Sequence, residues 1–327
     1  MMKVRIRAVS GLLVLLALAV AMAASPVVAG SSEGHFDRTL NVTGTVDLDV
    51  QTGSGDITLR TGDSSKVEIH AKIHGSGWGD VEQHIHEIEN NPPIEQSGNT
   101  IRIGHIENRD WKHNISISYE LVVPSQTKLR SESGSGDQSA DGISGPADMN
   151  SGSGSLHVKN IGGEVRARTG SGDIELETIR GNAHASAGSG TIQAMGISGG
   201  LVASSGSGDV KLEQTAAGEV EISTGSGDVE IKGVKGGAKV TTGSGSITAQ
   251  GDPTSDWRLH SGSGSVRVDF PPQAAFNLVA RTSSGNIETA HDISVQGKIS
   301  PRELQGKVGA GGPLVELSTS SGTIEIR

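Results

Sequence analysis

Apolar and polar residues alternate along most of this chain with a period of two. At Ile174-Glu175-Leu176 the aliphatic side chains fall on one face and the carboxylate on the other. Val46-Asp47-Leu48-Asp49-Val50 shows the same pattern near the start. Such alternation predicts half-buried β-strands. Between the strands stands a short phrase, Gly-Ser-Gly followed by Asp, Ser or Thr. It starts at Gly134, Gly152, Gly170, Gly188, Gly206, Gly225, Gly243 and Gly262, in steps of 18 or 19 residues. Weaker copies stand at Ser283-Ser284-Gly285 and Ser320-Ser321-Gly322, and an early one at Gly53-Ser54-Gly55. A period this regular predicts a stacked repeat architecture.

One unit reads turn, strand, bend, strand. Around Gly170 the first strand is Ile174-Glu175-Leu176, the bend Ile179-Arg180-Gly181 and the second strand Ala183-His184-Ala185. Two strands alone are not stable in water, so unit must stack on unit. About ten coils at roughly 4.8 Å each would make a rod about 50 Å long. The glycines of the phrase are expected to supply positive φ at a sharp reversal. The residue after them (Asp137, Ser155, Asp173, Thr191, Asp209, Asp228, Ser246 or Ser265) is expected to bond a nearby amide of the turn. Equal offsets in neighbouring units place Lys211 beside Glu230 and Glu221 beside Lys239, pairs that help across adjacent strands.

The pattern is interrupted near residues 74–98. Gly75, Gly77 and Gly79 suggest a loop around Trp78. Val81, Ile85 and Ile88 are spaced as on a short amphipathic helix, which Pro92-Pro93 ends. Ile101, Ile103 and Ile106 are expected to resume a strand, followed by Ile115, Ile117 and Tyr119. We expect this segment to cover one end of the stack, as terminal repeats require. Beyond Gly262 the period loosens. Residues 291–312 read as irregular, and the stretch from Val315 to Ile326 reads as a final coil closing the chain.

Residues 1–29 read as a signal peptide. Lys3, Arg5 and Arg7 precede an apolar run from Leu12 to Ala24, and small residues offer cleavage after Ala23 or Ala29. This divides the chain into the signal (1–29), an N-terminal β region with its insertion (33–125) and the repeat solenoid (126–327). The body is therefore expected to be exported to the periplasm or cell surface, with no stable membrane span once the signal is removed.

Composition narrows the function classes. Aromatics are only 2% of the 327 residues while 48 are glycine, which suits a thin aliphatic interior. There is no cysteine, so disulfides, thiolate metal sites, a cysteine nucleophile and a lipidation cysteine are all excluded. The formal net charge is −10 and the first 29 residues carry three basic groups and no acid, leaving −13 on the rest. An acidic body argues against nucleic acid as a partner.

Candidate chemistry is sparse. The Gly-x-Gly-Asp turns invite comparison with calcium-binding β-rolls. Yet the turn comes once per coil, and Ser or Thr replaces Asp in half of the eight clean units. His70, His74, His84 and His86, with His105 and His113 further on, could gather a metal, but their spacing matches no zinc signature. The His84/His86 spacing suits a strand more than a helix. Glu175, Glu177, Glu213, Glu221 and Glu230 lie on outward faces among charged neighbours, as solubility requires. No Gly-x-Ser-x-Gly elbow is present, and no helix start follows the turns to bind phosphate. No catalytic, cofactor-binding or metal residue is assigned and no cofactor is expected.

The leading strand Thr45-Val46-Asp47-Leu48, the Gly53-Ser54-Gly55-Asp56-Ile57 turn, the serial GSGD units and the end from Gly311-Gly312-Pro313-Leu314 to Ser320-Ser321-Gly322-Thr323-Ile324 together resemble the bacterial DUF4097 family, which carries an adhesin label. The resemblance spans roughly residues 33–327. It implies an all-β fold, a single-stranded β-helix or β-solenoid with a right-handed coil, exported to the bacterial envelope. The expected function is a non-enzymatic, adhesin-like structural or binding module whose partner is an unidentified envelope protein or glycan. An envelope-stress or signalling scaffold is the alternative, and a polysaccharide-cleaving β-helix enzyme a more distant one.

Overall fold

The structure, a computed structural model, describes residues 32–76, 80–106, 114–295 and 300–327. The expected signal peptide, the Gly77-Trp78-Gly79 loop and His113 lie outside the described residues. The described residues form a β-solenoid of two long sheets, with 14 and 15 strands. Each repeat unit contributes one strand to each sheet. Ile174–Ile179 belongs to the fourteen-stranded sheet and Ala183–Ala187 to the fifteen-stranded one. Each strand pairs in parallel with its equivalent one unit later, as Ile174 with Ile192 and Ala183 with Leu201. The two inner faces meet in a narrow aliphatic interior, where Ile174, Leu176, Ile179, Ala183 and Ala185 are all buried. Fully burying one such Ile or Leu contributes about 1.5–3 kcal/mol.

The outward charges lie in the expected register. Lys211 is opposite Glu230 and Glu221 opposite Lys239. Glu221 and Lys239 bond across the strands at 2.7 Å. The Glu230 carboxylate instead turns along its own strand to Lys232, at 2.6 Å.

The phrase is a corner, but its residues act differently from the expectation. None of the glycines in the eight clean copies has positive φ. They are required because successive coils nearly touch. A Cβ on Gly172 would overlap the carbonyl of Gly154, and one on Gly190 that of Gly172. Nor does the following residue close its own turn. Asp173 Oδ1 accepts the amide of Thr191 (2.8 Å), and Asp137 Oδ1 that of Ser155 (2.7 Å), each one coil onward. Ser155 and Ser246 do the same with their hydroxyls, more weakly, both at 3.3 Å. The local turn is closed by the residue before the phrase. Thr169 Oγ1 accepts the Gly172 amide (3.1 Å) and donates to the Gly154 carbonyl of the coil behind (2.8 Å). Ser151 and Ser205 repeat both contacts.

Positive φ occurs instead at the end of the first strand in several units. Gly142, Asn160, Thr178, Gly196 and Gly233 occupy it, with φ from 54° at Asn160 to 87° at Gly142. Asn tolerates this region through local bonding, and Asn160 Nδ2 donates to Asp141 Oδ1 at 2.8 Å. Thr178, at φ 59°, is a β-branched residue under strain.

Both ends break the sequential order. At the N-terminal end the coil of Val46–Thr52 and Ile57–Thr61 is sandwiched. It lies between the first repeat coil and an outer one made by Thr100–Ile103 and Ile115–Val123. Ile106 falls beyond that strand, half-buried against the core. Outside these lie antiparallel strands: Lys66–Gly75 and Ser32–Asn41 on one sheet, Ile94–Ser97 on the other. Gly75 thus ends a strand rather than opening a loop. The helix expected from Val81, Ile85 and Ile88 spans Val81–Asn90, and those three residues enter the core. His84 and His86 therefore sit on a helix, because the apolar spacing of their neighbours outweighs their own.

The C-terminal end mirrors this. The strands Leu314–Ser321 and Ile324–Ile326 do not close the stack. They are inserted between the coil of Trp257–Ser263 and Val266–Asp269 and the coil of Phe276–Ser284 and Ile287–Thr289. The stretch expected to be irregular supplies two antiparallel strands, Glu303–Val308 and Ile293–Val295, outside Phe276–Ser284. A parallel neighbour needs a whole coil to reach it, whereas an antiparallel one can follow directly and so end the progression. The described aromatics gather at these ends, where coils widen. Phe36 faces Tyr119 at 6.5 Å, and Phe270 lies 5.4 Å from Trp257 and 4.6 Å from Phe276.

Two predictions follow from these contacts. Ala187 is the one clean repeat position before the phrase without a hydroxyl to join the Gly190 amide to the Gly172 carbonyl. Ala187→Ser should raise stability by about 0.5–1.5 kcal/mol in urea unfolding, and an unchanged or lower midpoint would contradict the ladder. At the cap, Glu89 Oε1 accepts the His35 amide (3.0 Å) and Oε2 faces His86 Nδ1 (3.0 Å). These contacts, the His35 amide foremost, hold its carboxyl below the usual range. A carboxyl depressed on folding stabilises above its unfolded value of about 4.3 and loses that contribution as pH falls through the folded value. The protection of the helix amides, measured against their intrinsic exchange at each pH, should therefore fall below about pH 4, and Glu89→Gln should lower it at neutral pH.

Candidate functional site

The structure scatters the histidines singled out by the sequence. His70 Nδ1 meets Asp37 at 2.6 Å, His74 lies 3.8 Å from Glu33, His86 is held by Glu89, and His105 Nε2 stands 3.4 Å from Asp49. Each faces a different carboxylate. Among the described residues no three His, Cys, Asp or Glu side chains converge as a metal set. In the corner row, Asp137, Asp173, Asp209 and Asp228 each commit one oxygen to the amide one coil onward.

Of the outward carboxylates singled out by the sequence, Glu175, Glu177, Glu221 and Glu230 are likewise engaged. Lys159 Nζ meets Glu177 at 2.8 Å, and this carboxylate raises the ammonium above its ordinary value. His157 Nδ1 lies 3.0 Å from Glu175. Arg267 binds Glu325 at 2.7 Å and holds its carboxyl below the usual range. Inside the cap, burial pushes the Tyr119 phenol well up, so it stays neutral.

One surface feature is not used up by stacking. On the outer side of the fifteen-stranded sheet lies a groove of about 660 Å³. Its shape follows from the residue that precedes each strand of that sheet. In successive units this position holds Glu164, Asn182, Gly200, Glu219, Gly237 and Asp256. Gly237 has no side chain in this row, and the Glu219 carboxylate lies over it. The next outward row supplies Val202, Glu221, Lys239 and Arg258, whose strands pair in register. Glu221 is bonded to Lys239. Asp256 accepts the Leu314 amide (3.0 Å) and faces Arg258 (3.3 Å). Val202 is 43% exposed; with Met195 it is one of two large apolar side chains left exposed among the described residues. The sequence carried a signal for this groove in the alternation of glycine with acid before the strands, which the stronger Gly-Ser-Gly rhythm masked. A second hollow of about 560 Å³ lies beside Phe270, Pro271 and Pro272, lined also by Gly233, Val234 and Lys235.

Chemically, the groove offers acceptors and donors side by side over a small apolar strip. Two of its three carboxylates are tied into ion pairs, an arrangement suited to holding a polar ligand rather than to moving protons. No helix among the described residues is long and apolar enough to cross a membrane.

No curated protein sequence matches the chain. Several solved structures do, at low identity. A candidate adhesin from Bacteroides fragilis is 15% identical, with 90% of this chain and 98% of that one covered and a TM-score of 0.26. A candidate lipid-binding protein from Parabacteroides distasonis is 12% identical, with 89% and 96% covered and a TM-score of 0.37. A candidate cell-adhesion protein from Clostridium sporogenes is 13% identical, with 90% and 99% covered and a TM-score of 0.21. The family model described as Toastrack DUF4097 matches residues 163–327, which hold the later repeat units and the inserted C-terminal coil. The chain belongs to the DUF4097 family.

Proposed function

We propose that this protein is an exported, non-enzymatic binding module of the bacterial envelope, adhesin-like in that a rigid lateral face meets its partner. The observation that carries this reading is the closure of both ends. Antiparallel strands, with a helix at one end, cover the stack where it would otherwise extend. Partners are therefore met from the side, on faces whose charges are mostly paired within the protein. The basic start followed by an apolar run supports export, with cleavage after Ala23 or Ala29.

A signalling scaffold acting through residues 74–125 draws less support. The helix in that segment spends its apolar face on the core. A carbohydrate-cleaving enzyme is also less supported, since two of the three groove carboxylates are held by basic neighbours.

The test is direct. The full chain, produced with its leader in its own cells, should be found outside the cytoplasmic membrane. On recovery it should be retained by isolated envelope, and deleting residues 76–98 should not abolish retention if the deletion protein still folds. A cytoplasmic product would contradict the reading. Loss of retention only with that deletion would favour the scaffold.

A further inference from the structure

Most corner glycines are demanded by the fold, and Gly237 is not. At Gly163, Gly181, Gly199, Gly218 and Gly236 the nearest obstacle to a Cβ includes the backbone of the coil behind. At Gly237 the three nearest atoms all belong to the Glu219 carboxylate, the free end of a flexible side chain. Its φ is not positive. Its carbonyl accepts the Val220 amide at 2.9 Å, a bond any residue could make. Neither stacking nor backbone conformation requires glycine there. What its missing side chain does is make room for the Glu219 carboxylate, which lies over it in the groove, where a larger side chain would displace that carboxylate and take up groove volume.

From this we infer that the Gly237 groove is a binding site for a neutral oligosaccharide lying along the stack. The inference rests on the binding-module reading and gives it a site and a ligand class. Three features select the class. First, Glu219, Glu221 and Asp256 stand among Lys239 and Arg258. The groove is neither strongly cationic nor strongly anionic, so a polyanion gains little there. Second, these planar groups place acceptors next to donors, which matches vicinal hydroxyls, each of which both donates and accepts. Exposed Val202 offers an apolar strip for the C–H face of a ring. Third, the groove crosses strands stacked at about 4.8 Å, so an extended chain lying along the stack meets a new outward side chain from each coil. A peptide has less to hold it, because the strands beneath are paired on both sides and offer no free edge. The volume lies within the range of about 300–1,000 Å³ typical of ligand clefts.

The experiment compares the full chain with Gly237→Trp, which fills the groove, and Gln193→Trp, which adds the same bulk to the outer face of the other sheet. Each is titrated with short neutral oligomers of glucose, mannose, galactose and N-acetylglucosamine, and with anionic oligouronates. Each is also tested for retention by isolated envelope. Thermal unfolding establishes that all three are folded, and Gly237→Ala repeats the comparison with a minimal side chain if the Trp variant is not. The expected result is binding of at least one neutral series by the unchanged chain and by Gln193→Trp, with affinity about ten-fold or more lower in Gly237→Trp. Preference for oligouronates would overturn the ligand class. Equal neutral-glycan binding in Gly237→Trp would overturn the site. If no glycan binds while envelope retention persists in all three proteins, the groove inference fails and the module reading stands. If the unchanged chain is not retained at all and binds no glycan, both fail.

Discussion

Everything in this molecule depends on how closely successive coils approach at their corners. Parallel strands stack at about 4.8 Å, and a corner has no pleat to turn side chains away from its neighbour. The Gly-Ser-Gly phrase meets this constraint by removing Cβ where one backbone lies on the next. The polar groups released by the tight corner are then bonded along the stack. A Ser or Thr hydroxyl before the phrase ties its own turn to the coil behind. The Asp, Ser or Thr after the phrase receives the amide of the coil ahead. Each coil is thus tied in both directions by side chains as well as by its ladder bonds. A periodic sequence becomes a rigid rod rather than a string of hairpins.

The same constraint explains where the chain departs from its period. A stack held only by its neighbours must end somewhere, and an open end is a sheet edge. Here each end inserts one coil out of sequence order and then reverses strand direction. The wide side chains follow that geometry. Trp257, Phe270 and Phe276 sit at one end and Phe36 and Tyr119 at the other, while the middle is filled by Ile, Leu, Val and Ala. Function, on this account, has little room within the corners, because their polar atoms are already bonded. It belongs where the stack leaves something unfilled.

Much of the fold was legible in the sequence. The period gave the solenoid, the alternation gave the buried faces, and equal offsets gave the register that pairs Glu221 with Lys239. The roles of single residues were not legible, because they depend on contacts between coils. The residue type alone does not distinguish a glycine needed for positive φ, such as Gly142, from one needed for close approach, such as Gly172. Thr169 ends a strand, and the two partners of its hydroxyl lie three and fifteen residues away. The insertion of the last coil could not be read from order, since Val315 and Leu317 would fit at either position. The groove was hardest to see, because Gly237 looks like its neighbour Gly236.

That pair of lookalikes points to the most direct measurement. Urea unfolding of Gly172→Ala and Gly237→Ala, side by side, separates a glycine that stacking requires from one that it does not. The account predicts that Gly172→Ala loses about 1–3 kcal/mol or more from overpacking against the Gly154 carbonyl. It predicts that Gly237→Ala is unchanged or gains up to about 1 kcal/mol, since its folded conformation suits alanine and the unfolded chain loses freedom. Similar losses in both proteins would contradict it. They would mean that the Gly237 groove is a by-product of packing.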